Sequence, residues 1–312
     1  MNWRLKHAAR RAFCAIPGGE RLYRWLMVQA LATNTGMAHK WFRVFPTHVR
    51  VMRECFGESA RRQRMWCFDS GATIATGLAM AICADVPGLL TDRLGRLTPR
   101  YDRVSRALLA QKGPDLAELS GAPADRVEEL MAATAGRSGT AALVAVRMAY
   151  SPSHEAATGA DWAGTIGYVF SAGTLEHYSP EDLEAEVSRM ATALAPGGVL
   201  SHVVDHRDHR WHADKRLSPL AHLTIGDDEY RRRFASGLDY HNRWLRSDYV
   251  RLFRNHGFEA TCHDVIAYTL DLAPLDRARL AERFAHASDD DLNALVTHFV
   301  AVRSGRKDAA PE

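Results

Sequence analysis

Cysteine is scarce in this 312-residue sequence: there are five, scattered and odd in number, and no two form a C-x-x-C pair. That pattern argues against a disulfide framework and against a zinc site. No apolar run reaches transmembrane length, and the N-terminus lacks the apolar stretch and small-residue cleavage site of a signal peptide. The sequence therefore predicts reduced thiols and a cytoplasmic protein.

Excess charge of one sign is also lacking. Forty Lys and Arg residues face 37 Asp and Glu residues, which gives a net charge of +3 and a pI near 8.6. A dedicated nucleic-acid binder concentrates far more basic charge on one face, so a small-molecule substrate is the expected partner. Hydrophobic residues at 46% and charged residues at 25% are ordinary values, so the chain is expected to fold as one large domain with an extension, or as two modest domains.

The segment from Tyr168 to Asp208 is the most informative part of the chain. Two apolar runs of strand length, Tyr168–Ser171 and Val199–Val204, flank a segment with apolar residues at helical spacing. A strand-helix-strand crossover of this kind predicts a parallel sheet. Polar residues follow both strands, and the carboxyl edge of a parallel sheet is where ligands bind.

Similar patterns predict alternating strands and helices along most of the chain. They indicate a helical extension over 1–60, a main domain over 61–303 with a polar insertion at 205–246, and a polar tail over 304–312. The predicted helices are 3–13, 20–31, 36–55, 75–84, most of 99–135 with breaks at Gly113-Pro114 and Gly121-Ala-Pro123, 180–194, 247–256 (with Ser247 as N-cap), and 275–286. The other predicted strands are 65–69, 89–91, 142–148, 165–171, 258–268 and 296–302.

The first predicted helix is basic and amphipathic, since Arg4, Lys6, Arg10 and Arg11 alternate with apolar residues. Such a helix could lie on an anionic membrane surface. A helical cap packed on the main domain is the favoured interpretation, because a single short basic helix binds membranes weakly without a second anchor.

Acidic residues follow the first two predicted strands. Asp69 ends the first strand, a turn at Gly71 follows, and Asp92 ends the next strand about twenty residues later. A glycine turn lets backbone N–H groups approach a nucleotide-like ligand, and an acid at the second position can accept both ribose hydroxyls. Coincidence in an ordinary α/β domain is the alternative, because only one glycine of the usual run is present.

Histidines and carboxylates gather at the other strand ends. His177, beside Glu176, is a candidate general base, or the pair simply caps a loop. Asp205-His206-Arg207-Asp208-His209 invites a metal site, but the side chains alternate between two faces, so hydrogen-bonding or acid–base roles are preferred and no metal is predicted. Tyr240-His241-Asn242-Arg243 suits a polar or anionic substrate, or else fastens the insertion to the domain.

Together these motifs resemble the class I S-adenosylmethionine-dependent methyltransferases over about residues 60–303, most specifically at 171–177, 194–198, 205–209 and 240–257. The resemblance implies a Rossmann-like seven-stranded, mostly parallel sheet with helices on both faces and an antiparallel last strand. It implies S-adenosylmethionine as cofactor, and places Asp92 at the ribose, Glu155 beside the adenine, and Ser171 and Ala172 at the floor of the site. The full cofactor-binding set that it implies is Asp69, Ser70, Gly71, Ala72, Asp92, Arg93, Glu155, Ser171 and Ala172.

Methyl transfer is an in-line displacement, so the protein mainly aligns the acceptor and excludes water. His177 or His209 is the expected base, Asp205 orients a histidine, and Tyr240 or Arg243 holds the substrate. The sequence departs from the family pattern at Thr73 in the glycine turn and at Gly167, where an aspartate is usual. A non-catalytic protein with the same fold is therefore one alternative, and a metal-dependent enzyme is another. The acceptor stays open: a sugar, a natural-product hydroxyl or amine, a lipid-linked intermediate or a protein side chain.

Overall fold

The structure, a computed structural model, describes residues 3–31, 44–70, 74–93, 99–236, 238, 240–269 and 271–303. The strands are β1 (Met65–Cys67), β2 (Gly88–Thr91), β3 (Met148–Ser151), β4 (Ile166–Ala172), β5 (Leu194–Asp205), β6 (Phe258–Ala267) and β7 (Ala294–Arg303). The α-helices are α1 (Trp3–Cys14), α2 (Gly19–Leu31), α3 (Phe45–Phe56), α4 (Ala75–Ala84), α5 (Pro99–Ser120), α6 (Ala124–Thr134), α7 (Thr140–Ala145), α8 (Pro180–Ala193), α9 (Asp227–Arg233), α10 (Arg246–Asn255) and α11 (Asp289–Asn293).

The seven strands form one sheet in the order β3-β2-β1-β4-β5-β7-β6. Strands β1 to β5 pair in parallel, and β7 runs antiparallel between β5 and β6. The predicted mostly parallel sheet with an antiparallel last strand is thus confirmed. Strand order reverses between β1 and β4, and the carboxyl ends of the strands beside such a reversal form a natural ligand crevice.

Helices cover both faces of the sheet because the side chains of β4 alternate between them. Tyr168 and Phe170 pack into a core with α3, α4, α5 and α6. Val169 lies on the other face, in a core that includes residues of α8 and α10. A strand covered on both faces has few polar positions, so its polar residues are confined to its ends.

Helix α8 shows how local signals set its start. Ser179 caps it, its hydroxyl accepting from the Asp182 N–H at 3.0 Å, and Pro180 occupies the first turn. The helix ends at Ala193, and β5 begins at once with Leu194, which pairs with Ile166. The predicted strand-helix-strand unit is confirmed, with β5 starting five residues before the predicted Val199.

Two predicted elements are wrong. The predicted third strand, 142–148, is mostly helix α7, and β3 begins only at Met148. A short apolar run does not distinguish a buried strand from a buried helix. Residues 275–286 form 3₁₀ turns at Arg277–Arg279 and Glu282–Phe284 rather than the predicted helix. Asp276 caps the first turn, its carboxylate accepting from the Ala278 N–H at 3.1 Å.

Two smaller predictions also fail. Helix α5 continues through Gly113-Pro114, where the sequence predicts a break. Gly113 lies against Met131, and a Cβ at residue 113 would be 2.6 Å from the Met131 methyl carbon. Ser247 does not cap α10, which begins after Leu245; the Ser247 hydroxyl instead donates to Asp291 at 3.0 Å. The break at Gly121-Ala-Pro123 is confirmed, between α5 and α6.

The helical N-terminal part is confirmed in α1, α2 and α3. The first eight residues of the predicted helix 36–55 lie outside the described residues, as does the tail 304–312. Across the described ranges, no helix combines the length and apolarity needed to cross a bilayer.

Candidate active site

Four parallel strands end side by side at one edge of the sheet. Each has, as its last residue or shortly after it, a residue that the sequence predicts to be functional. Asp69 follows β1, Asp92 follows β2, Ala172 ends β4 and Asp205 ends β5. Gly71 and Ala72, also predicted to bind cofactor, lie outside the described residues, as does Thr73. The sheet topology therefore brings the described strand-end residues to one edge.

Asp69 has a backbone conformation that few L-residues adopt. Its φ is 47°, and its side chain is buried. One carboxylate oxygen, Oδ2, accepts from the Tyr178 hydroxyl at 3.1 Å and lies 3.7 Å from the Arg93 guanidinium. The other oxygen, Oδ1, is buried and has no hydrogen-bond partner among the described residues. A buried carboxylate oxygen is costly unless a donor reaches it, so this atom points to a ligand.

Ser70, Asp92 and Arg93 lie along the same edge. The Ser70 N–H donates to the Thr91 carbonyl at 3.0 Å, and the N–H of buried Asp92 donates to the Ser151 carbonyl at 3.2 Å. Arg93 places its guanidinium 3.8 Å above the ring of Tyr178. The two backbone bonds hold Ser70 and Asp92 in a fixed relation to the neighbouring strands.

Glu155 follows β3 in a 3₁₀ turn, His154–Thr158, and its side chain is exposed. Its N–H donates to the Ser153 hydroxyl at 3.2 Å. Three acidic residues thus follow the three adjacent strands β1, β2 and β3, one after each.

Ser171 and Ala172 have different surroundings. The Ser171 hydroxyl is buried and bonds to Nδ1 of His202 at 2.8 Å, across the β4–β5 pair. Burial and the neighbouring His298 lower the pKa of His202 to about 3, so its ring is neutral. Ala172 is half-buried at the end of β4. The Ser171 hydroxyl therefore bonds within the sheet, while Ala172 is the last residue of β4.

The short loop after β4, residues 174–178, contacts Asp69 and also carries a histidine, His177. Thr174 and Tyr178, at the two ends of this loop, both contact Asp69. The Thr174 hydroxyl donates to the Asp69 carbonyl at 3.5 Å, and the Tyr178 hydroxyl donates to the Asp69 carboxylate at 3.1 Å. The 3₁₀ turn Leu175–His177 lies between them. His177 therefore lies in a loop that is bound to Asp69 at both of its ends.

The histidine cluster comprises His177, His209, His212, His222 and His241. Ring centroids lie 5.1 Å apart for each of the pairs His177–His209, His209–His241 and His222–His241, and 6.4 Å apart for His209–His212. Sequence reasoning missed His222, which comes from an isolated 3₁₀ turn with no recognisable pattern. No three His, Cys, Asp or Glu residues in the described ranges are arranged to hold a metal ion.

Hydrogen bonds fix the tautomers of two of these histidines. Nδ1 of His177 donates to the Tyr240 carbonyl at 2.9 Å, so the lone pair of the neutral ring is on Nε2. Nδ1 of His241 accepts from the Arg243 N–H at 2.9 Å, so its Nε2–H donates to the Asp205 carbonyl at 3.0 Å. Burial, together with His209 and His177, holds the pKa of His241 well below its usual value. His241 is therefore a neutral donor of fixed orientation, and Nδ1 of His177 is held by the Tyr240 carbonyl.

Asp205 is ionised and paired. Burial alone would raise its pKa, but the fork of Arg207, with both contacts at 2.7 Å, and His212 at 3.6 Å lower it below its usual value. The carboxylate thus lies near Nε2 of His212, while the Asp205 carbonyl accepts a hydrogen bond from His241.

Glu176 is the opposite case. Its carboxyl group is buried, and Oε2 has no hydrogen-bond partner among the described residues. Burial, and the nearby charge of Asp205, raise the pKa of Glu176 well above its usual value. Two neighbouring acids are thus in different states, Asp205 ionised and Glu176 protonated.

Arg243 is buried within the insertion. Its guanidinium donates to the carbonyls of His222 at 3.0 Å and Ile225 at 2.6 Å, and pairs with Asp227. These polar contacts join parts of residues 205–246 to one another, and a contact outside that segment is with the Phe284 ring, 5.3 Å from the guanidinium. Tyr240 is half-buried, and burial raises the pKa of its hydroxyl.

The departure at Gly167 has a packing reason. A Cβ at this position would lie 2.0 Å from Oε1 of Gln63 and 3.1 Å from its Cβ. An aspartate would therefore need Gln63 to move, and the glycine leaves room for that side chain.

Comparisons with known proteins give only a likeness of fold. No protein-family model matches the sequence, and no curated protein matches it. Similar solved structures include an O-methyltransferase family protein from Burkholderia thailandensis (11% identity, 85% of this chain, 58% of that one, TM-score 0.41), a Haemonchus contortus phosphoethanolamine N-methyltransferase 2 in complex with S-adenosyl-L-methionine (13%, 82%, 52%, 0.42), and a SAM-dependent methyltransferase from Archaeoglobus fulgidus (10%, 84%, 94%, 0.43). The chain spans little more than half the length of the first two. At such identities and TM-scores, function has to be argued from the chain's own residues.

Proposed function

We propose that this protein is an S-adenosylmethionine-dependent methyltransferase. Its cofactor would lie across the carboxyl ends of β1, β2 and β4, and its acceptor beside the histidine cluster. The observation that carries the proposal is Asp69 Oδ1, a buried carboxylate oxygen without a partner among the described residues, at the point where strand order reverses. Asp92, buried at the end of the adjacent strand, provides the second acceptor.

The residues at this edge fit the proposed cofactor chemically. Its ammonium group is a cation with N–H donors, which suits Asp69 Oδ1, and its ribose hydroxyls suit the Asp92 carboxylate. Glu155 after β3 and Ala172 at the end of β4 would border the remaining part of the cofactor. When bound, the cofactor supplies an electrophilic methyl group.

The histidine cluster would handle the acceptor proton. A base is needed only for a hydroxyl or a protonated amine, and His177 Nε2 carries the lone pair, because Nδ1 donates to the Tyr240 carbonyl. His209, with its ring 5.1 Å away, is the second candidate. His241 and the Asp205–Arg207 pair are positioning residues in this proposal, since their polar groups bind each other and the backbone. Tyr240 remains the predicted substrate contact.

Calorimetric titration of S-adenosylmethionine and S-adenosylhomocysteine tests the cofactor assignment. We expect micromolar binding to the wild type, and its loss in Asp92→Ala. Glu128→Ala, which removes an exposed acid on α6, is the matched control and should bind as the wild type does. Absence of binding to the folded wild type would favour the non-catalytic alternative.

The base assignment needs a transfer assay, with S-adenosylhomocysteine release measured over a panel of hydroxyl and amine acceptors. His177→Ala should lower turnover by about 10²–10⁴-fold while leaving cofactor affinity unchanged. His256→Ala removes a histidine that pairs with Glu184 on the surface and serves as control. Unchanged turnover in His177→Ala and a loss in His209→Ala would transfer the role to His209.

A further inference from the structure

The net positive charge of the chain is concentrated in the α1–α2 hairpin, residues 3–31. This segment has six Lys and Arg residues and one acidic residue, Glu20, a net charge of +5. The whole chain carries +3, so the remaining residues together carry −2. Helix α1 contains no acidic residue at all. The hairpin is therefore a cationic element on an otherwise slightly acidic protein.

The same hairpin exposes large apolar side chains. Leu22, Trp25 and Leu26 follow i, i+3, i+4 spacing on α2, and they are 50%, 57% and 42% exposed. Leu5 on α1 and Ile16 between the helices are exposed as well, so that five of the ten exposed large hydrophobic residues in the described ranges fall within 22 positions. Single exposed apolar residues are ordinary, but a cluster of them marks an interaction surface.

Other side chains supply contacts that join the two helices and dock α1. Arg10 donates to the Tyr23 hydroxyl at 3.2 Å, and Phe13 packs edge-on against Tyr23, which joins α1 to α2. Trp3 lies against Phe234, with the Arg210 guanidinium 5.6 Å from its ring, and the ring of His7 lies 5.5 Å from that of Phe234. The hairpin is thus docked on the 205–246 insertion by other residues.

We propose that the exposed face of the α1–α2 hairpin binds an anionic lipid surface. An anionic bilayer supplies negative charge for the arginines and an apolar interior for Trp25 and the leucines, and a basic amphipathic helix binds weakly unless a second element adds to it. Here α2 is that second element. Since Arg210 contacts Trp3 and follows His209 directly, the lipid surface would lie on the side of the molecule that carries the histidine cluster.

Vesicle flotation of the full-length protein tests this proposal, with phosphatidylcholine vesicles and with vesicles enriched in phosphatidylglycerol. We expect at least about tenfold stronger binding to the anionic vesicles, weakening as salt is raised. The double variant Leu22→Ser/Trp25→Ser should bind about tenfold more weakly. The matched control is Leu119→Ser/Val144→Ser, which removes two exposed apolar residues elsewhere and should bind as the wild type does.

Three outcomes would overturn the proposal: equal flotation on both vesicle types, equal binding by the two double variants, or a self-association of the protein that is lost in Leu22→Ser/Trp25→Ser. Thermal unfolding verifies that both variants fold, as expected for exposed positions. S-adenosylhomocysteine titration of the same variants keeps this test separate from the proposed methyl transfer, because lipid binding and cofactor binding involve different residues.

Discussion

Buried neutral histidines should make this protein unusually sensitive to mild acid. Burial, together with His298, lowers the pKa of His202 to about 3, and burial, together with His263 and Arg50, lowers that of His298 to about 4. In the unfolded chain both side chains take up a proton near pH 6.5. Between pH 6 and pH 4, therefore, the unfolded state binds protons that the folded state does not, and the stability present above pH 6.5 is lost as the pH falls.

The size of the effect follows from linkage. Each histidine that protonates only on unfolding lowers the free energy of unfolding by about 1.4 kcal/mol per pH unit, so His202 and His298 together account for about 3 kcal/mol per unit. The lowered pKa values of His48, His206, His222 and His241 act in the same direction. The raised pKa of Glu176 acts in the opposite direction, because its carboxyl binds a proton in the folded state that it releases on unfolding. Since a domain is stable by only about 5–15 kcal/mol, we expect unfolding within a few pH units below 6.5.

Urea unfolding followed by circular dichroism, between about pH 7.5 and pH 5, measures this slope. His202→Asn places an amide near Nδ1, which bonds Ser171, and His298→Gln places one near Nε2, which bonds Ser201 at 2.7 Å. Each variant should reduce the slope by about 1.4 kcal/mol per pH unit. His286→Asn, at an exposed position, should leave it unchanged. A wild-type stability that does not vary over this range, or variants with the wild-type slope, would refute the reasoning.

Three further predictions concern stability at neutral pH. Glu176→Gln should raise the free energy of unfolding at neutral pH by about 1–3 kcal/mol, because the wild-type carboxyl is neutral when folded and releases its proton only on unfolding. A loss of several kcal/mol in urea unfolding would instead indicate an ionised Glu176. Arg243→Ala should cost about 2–4 kcal/mol and speed proteolysis within residues 205–246, because it leaves buried carbonyls without a donor. Arg251→Ala, which breaks an exposed pair, should cost less than about 0.5 kcal/mol, and equal costs would contradict the role of Arg243 in holding this segment together. Gly167→Ala should lower the free energy of unfolding by about 1–3 kcal/mol in thermal unfolding, because the new Cβ would clash with Gln63. If adding Gln63→Gly restores none of this stability, a clash with Gln63 is not the cause.

Much of the fold could be predicted because local and long-range signals agree around β4, α8 and β5. Apolar spacing, the Ser179 cap and Pro180 all specify the same helix. The run at 142–148 failed because apolar residues alone do not separate strand from helix, and 275–286 failed because its apolar residues pack against the insertion in 3₁₀ turns. Tertiary packing decided both segments.

The site could be predicted only in part. Sheet topology brings residues at strand ends together, so Asp69, Asp92 and Asp205 could be identified from sequence. Hydrogen-bond partners could not be identified in this way: the contact of Ser171 with His202 and the carbonyl contacts of Arg243 depend on the folded insertion and sheet. His222 has no sequence signal, since only the fold brings its turn beside His241.

Hydrogen exchange with and without saturating S-adenosylhomocysteine tests most directly whether the cofactor site lies at the carboxyl edge of β1, β2 and β4. We expect slower exchange in peptides covering 68–70, 91–93 and 172–177, and no change along β6. Binding that instead protects only the open depression of about 500 Å³ lined by Gly226, Asp227, Asp228 and Ala281–Arg283 would contradict this account, as would the absence of any binding.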